Sequence, residues 1–266
     1  MMDATPALTV LTLLAGVVTG ALSAAFGVGG AVVSTPAIRL LGVTAAFAIA
    51  TTIPAILPSA VSGTARYGRE GLIRWPVVAW TAVPGAVAAV GGAELSGSVP
   101  GDGHWLMVAS ALLLGFTAAR MARGGSPAGG GGVAAPVEAP RLDRPGVLVP
   151  VGLAAGLLSG LLGVGGGTVL VPAFSEVVRL PLKAAIATSL ACVGLLAVPA
   201  TLTHWSLGGI DWRTAGLLSL GVVPGARLGA AAAIRASDAR LRRAVAAVLG
   251  LVALVYLVSE LAALSR

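Results

Sequence analysis

Eight apolar runs, at about 8–26, 43–65, 75–95, 104–122, 146–164, 183–205, 212–234 and 243–263, each come near the length that crosses ~30 Å of hydrocarbon. In that solvent a segment must satisfy its own backbone hydrogen bonds, so runs of this length specify helices and the fold class is an all-α integral membrane protein. Composition agrees, with 57% of residues hydrophobic and 10% charged. The first run follows "MMDATPALT", which lacks a basic leader, and is longer than the apolar stretch of a signal peptide. It is expected to remain as a membrane segment.

The formal charge of +7 does not specify nucleic acid as a partner, because the arginines are spread through short loops instead of forming one face or tail. Orientation in the membrane accounts for them. Asn and Gln are absent altogether, so a site at membrane depth has to be built from Ser and Thr hydroxyls, backbone groups and a few charges. The single cysteine, Cys192, lies inside an apolar run and reads as a free buried thiol with no partner in the chain for a disulfide.

Two of the runs carry helix breakers. In "LLSGLLGVGGGTVLVPAF" (Leu157 to Phe174) the glycines at 163, 165, 166 and 167 fall within five positions, with Pro172 beyond, and "ALSAAFGVGGAVVSTPAI" (Ala21 to Ile38) is a near copy. Setting Ser23 against Ser159 aligns Gly27, Gly29 and Gly30 with Gly163, Gly165 and Gly166, and Pro36 with Pro172. The correspondence continues through "IATT" (49–52) and "IATS" (186–189) to "VPGA" at 83–86 and 223–226. The chain therefore divides into an N-terminal membrane repeat (1–123), a flexible Gly/Pro linker (124–145) and a C-terminal membrane repeat (146–266).

Loop charges orient the repeats. Arg66, Arg69 and Arg74 mark one loop as cytoplasmic, Arg120, Arg123, Arg141 and Arg144 a second, and Arg235, Arg240, Arg242 and Arg243 a third. Loops 96–103 and 206–211 carry no Lys or Arg and belong outside. Eight full crossings would put the 235–243 loop on the wrong side. If the Gly-broken units at about 8–41 and 146–181 instead enter and leave on one side as re-entrant hairpins, all the basic loops fall inside. Each repeat then has one hairpin and three crossings, the repeats are inverted, and both termini are extracytoplasmic.

Non-helical backbone is tolerated at membrane depth only where protein or water covers it, and paired broken helices aim their positive N-termini at anionic groups. Gly27, Gly29, Gly30, Gly163, Gly165, Gly166 and Gly167 thus form an expected anion site made of backbone N–H groups. The competing reading is close helix packing by small residues.

These motifs, "SAAFGVGGAVVSTPA" and "SGLLGVGGGTVLVPA" with the "IATT" and "IATS" that follow them and "PGARLG" (224–229), resemble the sulfite exporter TauE/SafE family of bacterial membrane transporters. The resemblance covers both repeats. It implies secondary transport of a small sulfur-containing anion, sulfite or an organosulfonate, across the bacterial cytoplasmic (inner) membrane, as export. It departs from internal symmetry at Ala31, where the second copy has Gly167.

Thr51, Thr52, Thr188 and Ser189 offer paired hydroxyls to the same anion, against the ordinary alternative of a bond to the carbonyl three or four residues back. Ser23 and Ser159, ahead of the two breaks, are weaker candidates of the same kind. Arg227 is the one charge well inside an apolar run, with substrate contact or gating set against snorkelling to the interface. Glu94, Glu176 and Lys183 read first as solvated end charges and His204 with Trp205 as an interface anchor, with a coupling proton on a carboxylate or on His204 as the second reading.

No H-E-x-x-H set is present, and "GVGGG" lacks the Lys-Ser/Thr of a phosphate-binding loop, so no enzyme, metal or cofactor is expected. An anion channel, or a structural or assembly protein with Gly-mediated packing, are the alternatives to a carrier. The expected partners are a small anion, a coupling proton and membrane lipid. The oligomeric state is open.

Overall fold

The computed structural model describes residues 6–40, 45–99, 104–123, 145–163 and 165–264. The linker expected over 124–145 lies outside these apart from Pro145, as do Arg141, Arg144 and Val164. Every regular element among the described residues is helical. They are α1 (Pro6–Phe26), α2 (Ala31–Leu40), α3 (Ala45–Arg69), α4 (Trp75–Ser96), α5 (His104–Arg123), α6 (Pro145–Leu162), α7 (Gly167–Pro172), α8 (Leu182–Ser206), α9 (Trp212–Arg235) and α10 (Asp238–Leu264). All but α2 and α7 are long and apolar enough to span a membrane, one for each apolar run in the sequence. Trp75, Trp105, Trp205 and Trp212 stand exposed at helix ends, where amphipathic rings favour a membrane–water interface.

The two anticipated breaks are present. α1 stops at Phe26 and α2 starts at Ala31, while α6 stops at Leu162 and α7 starts at Gly167. Gly27 and Gly163 have φ of 67° and 65°, a left-handed conformation that ends a right-handed helix and that glycine adopts without steric cost. Beyond Pro172 the backbone widens into a π-helical turn, Ala173–Val177, as a proline that cannot donate to the i−4 carbonyl allows.

α3 and α8 form the centre, with 67% and 72% of their apolar stretch buried against 33–44% for the other six spans. They run antiparallel: Gly63 lies against Leu190, and Gly194 against Ala60. α5 and α10 are antiparallel too, Gly115 facing Ala253 and Gly250 facing Ala118. By contrast α1 lies parallel to α9, and α4 to α6. A Cβ on Gly229 would lie 1.9 Å from the Ala21 carbonyl oxygen, and one on Gly156 1.9 Å from that of Gly85, so glycine is what lets these backbones touch. Close packing is the job of Gly85, Gly156, Gly225 and Gly229, and the breaks are closely packed too, a Cβ on Gly27 lying 2.6 Å from the Ile186 carbonyl oxygen.

Candidate functional site

The two breaks meet. A Cβ on Gly165 would lie 3.4 Å from the Gly29 Cα, and one on Gly167 would lie 2.3 Å from the Gly27 carbonyl oxygen. Gly29 and Gly165 occupy equivalent positions of the two aligned sequence copies. Gly27 to Gly30, Gly163 and Gly165 to Gly167 are all buried. The asymmetry noted at Ala31 has a cause: the Gly167 Cα is pressed onto Gly27 and Val28, which leaves no room for a side chain.

After the first break the chain re-enters a helix. Val33 and Ser34 donate their amides to the Gly30 carbonyl, and Ser34 Oγ adds a 3.0 Å bond to the same oxygen. Among the described residues nothing accepts from the amides of Gly30, Ala31 and Val32, which open α2. Those are the orphan donors of a helix N-terminus. The second copy repeats the turn, Val169 and Leu170 donating to the Gly166 carbonyl, with Gly167 N also donating to Gly165 O.

The hydroxyls anticipated beside the breaks bind protein groups. Thr51 Oγ1 accepts from Asp211 N at 3.0 Å, and its counterpart Thr188 Oγ1 accepts from Arg74 N at 3.1 Å, so each repeat holds the start of a helix in the other. Thr52 donates to the Ile49 carbonyl at 3.0 Å, the bond to a residue three back, and lies 3.0 Å from Thr35 Oγ1. Ser189 donates to the Gly27 carbonyl at 2.8 Å and so fastens α8 to the first break. Ser23 and Ser159 are buried near the ends of α1 and α6, and Ser23 Oγ accepts from Ser59 at 3.2 Å.

The charged candidates do not converge on the breaks. Arg227 stands on the exposed face of α9 beside Leu228, while its neighbours Gly225, Ala226 and Gly229 are buried. Glu176, in the π-helical turn, pairs with Arg120 of α5, Lys183 Nζ donates to the Ile234 carbonyl at 2.7 Å, and Glu94 is exposed at the end of α4. His204 departs from the interface reading: it is 6% exposed and its Nε2 lies 3.5 Å from the Gly160 carbonyl. The anchor is Trp205, packed edge-to-face on Trp212 at 5.7 Å.

Three residues escaped the sequence reading. Tyr67, fully buried, donates to the Ala24 carbonyl at 2.8 Å, and it occupies in the first copy the place of His204 in the second. Each of the two thus reaches the carbonyl three residues ahead of its repeat's break. Thr19 and Ser59 are fully buried, Thr19 beside Gly30 and Ser59 bonded to Ser23. The aligned copies could have revealed Tyr67 through its match to His204.

Comparison with known proteins bears on the whole chain. The sequence profile of the family described as "Sulfite exporter TauE/SafE" matches residues 12–256. A "Probable membrane transporter protein" of Xylella fastidiosa is 27% identical over 240 residues, 87% of each chain. The "Probable membrane transporter protein YjnA" of Bacillus subtilis is 25% identical over 235 residues, 84% of this chain and 89% of the relative. No solved structure matches. Eight membrane-length helices around two buried glycine breaks, with a family match reaching from α1 to α10, identify this chain as a multi-pass membrane transporter belonging to the sulfite exporter TauE/SafE family.

Proposed function

We propose that the protein is a secondary transporter that exports a small sulfur-containing anion, sulfite or an organosulfonate, across the bacterial cytoplasmic membrane by alternating access between two inverted repeats, 1–123 and 146–266. The observation that carries this reading is the contact of Gly29 with Gly165. An axis relating antiparallel helices lies in the membrane plane, so a contact between equivalent residues on that axis falls near the midplane, where transporters of this architecture bind substrate.

Antiparallel pairing of α3 with α8 and of α5 with α10 supports inversion, since equivalent helices of a parallel duplication would run the same way. Hairpins are supported by where the Gly-broken units begin and end. α6 runs parallel to α4 with Gly152 beside Thr81, which puts Pro145 level with the start of α4. Thr188, early in α8, bonds to Arg74 at that same end. α1 begins level with the start of α9, where Thr51 bonds to Asp211. The amides of Gly30, Ala31 and Val32, which have no acceptor among the described residues, and the positive end of α2 supply attraction for an anion without a charged side chain.

The test is flux into proteoliposomes of the purified protein, with sulfite, ethanesulfonate, sulfate and acetate as probes, with and without a pH gradient. Saturable flux with counterflow is the expected behaviour of a carrier; linear, non-exchanging flux would make the protein a channel. Gly30→Ala places a methyl group at the mouth of α2, 3.1 Å from Thr19 Cγ2, and should remove most of the flux. Gly146→Ala, in open space, is the matched control. Absence of flux for every anion from well-folded protein would overturn the proposal.

A further inference from the structure

The outward surface of α9 carries a charge among apolar side chains. Leu220 and Leu228 are exposed there, and so is Arg227. Four and eight residues beyond Arg227, at one-turn intervals along the same line, come Ala231 and Arg235, the last residue of α9. The equivalent line on α4, fixed by the "VPGA" match, is Val87, Gly91 and Leu95, of which Val87 and Leu95 are exposed. One half of the molecule thus turns apolar side chains outward where the other turns two arginines, with an alanine between them.

Arg227 has no counter-charge in the protein. Among the described residues neither its guanidinium nor that of Arg235 makes an ion pair or a hydrogen bond. Arg227 lies eight residues before the end of α9, ~12 Å along the axis. Helical side chains lean toward the helix N-terminus, so it leans away from the membrane surface nearer to it. An exposed charge at that depth is costly unless water or a headgroup is drawn down to it. A second copy of the chain has no carboxylate to offer there. The acidic residues inside the eight membrane-length helices, Glu94, Asp238 and Glu260, each lie within about a turn of a helix end, and Glu176 is paired with Arg120.

We propose that Arg227 and Arg235 form a binding site for the phosphate of an anionic glycerophospholipid, whose headgroup settles over Ala231 with Arg227 below it and Arg235 at the rim. The small side chain at 231 leaves the space between the two arginines open. A guanidinium fork meets phosphate oxygens in pairs, which suits arginine to this role better than lysine. On the orientation proposed above this end of α9 is cytoplasmic, the side on which anionic lipids attract basic residues. Lys183, with its Nζ 2.7 Å from the Ile234 carbonyl, adds positive charge at the same end. The site is separate from the glycine breaks, and it stands or falls independently of what they bind.

Native mass spectrometry of the delipidated full chain in detergent, titrated with phosphatidylglycerol or phosphatidylcholine of matched acyl chains, tests the site. Wild type should bind the first phosphatidylglycerol about tenfold more tightly than phosphatidylcholine, the size expected for a hydrogen bond between charged groups. Arg227→Leu should lose that preference, Arg235→Leu should weaken it, and Arg227→Lys should keep only part of it. Arg240→Ala, which removes an exposed charge from the first turn of α10 and leaves the pair intact, should keep it in full. Monodisperse elution checks each variant. Equal binding of the two lipids by wild type, or an unchanged preference in Arg227→Leu, would overturn the proposal. A wild-type dimer that Arg227→Leu splits whatever lipid is present would also overturn it, and would make this face a contact between copies of the chain.

Discussion

Tyr67 and His204 show how one position can do related work with different chemistry. Both reach the carbonyl three residues ahead of a helix break, at Ala24 and Gly160, and both are enclosed by protein. The phenol bond is short and the imidazole contact long, 2.8 against 3.5 Å. Removing the phenol oxygen leaves the Ala24 carbonyl without that donor. Tyr67→Phe should therefore destabilise the protein by about 1–3 kcal/mol, the cost of a buried group left unpaired, read as a lower midpoint in detergent unfolding. His204→Tyr, which copies the first half into the second, should unfold no earlier than wild type. A midpoint for Tyr67→Phe equal to wild type would mean that the hydroxyl contributes nothing to holding α1.

Much of the element structure is legible in the sequence, for physical reasons that differ from place to place. The breaks are readable because glycine turns φ positive without steric cost, and Gly27, Gly29, Gly163, Gly165 and Gly166 all have φ between 65° and 90°. The start of α9 is readable in the same way: Asp211 precedes the helix and accepts from Arg213 N, Thr214 N and Thr214 Oγ1. Asp211→Ala should cost about 1 kcal/mol of stability by loss of this cap, with Asp211→Asn or Asp211→Ser recovering most of it. What the sequence hides is which face of a helix a residue occupies when both faces are apolar. Arg227 has the depth of a buried charge, yet it lies on the outer side of α9, because the opposite side is taken by Gly225, Ala226 and Gly229 against α1. The partners of Thr51 and Thr188 are equally hidden, since each bond joins residues more than a hundred positions apart.

At the scale of the molecule, two of the cross-repeat bonds are mates, and that pairing bears on how the protein moves. Asp211 with Thr51 and Arg74 with Thr188 are equivalent bonds, both formed in this structure, and the alternating access we propose would break one while keeping the other. Such an exchange needs the two Gly-broken units to approach from opposite faces of the membrane, which labelling of engineered cysteines by a membrane-impermeant maleimide can decide. Cys192 is buried and is first replaced by alanine. Gly146→Cys and Val177→Cys sit at the two ends of the second unit, and both positions are exposed. A hairpin puts the two on one side, so both should react only after the cytoplasmic face is opened, together with Glu70→Cys and Ser237→Cys. Ser98→Cys, beyond the end of α4, should react in intact cells. Reaction of Gly146→Cys and Val177→Cys from opposite faces would mean that the second unit crosses the bilayer. The repeats would then have an even number of crossings and could not be inverted, and alternating access would have to arise from some other motion.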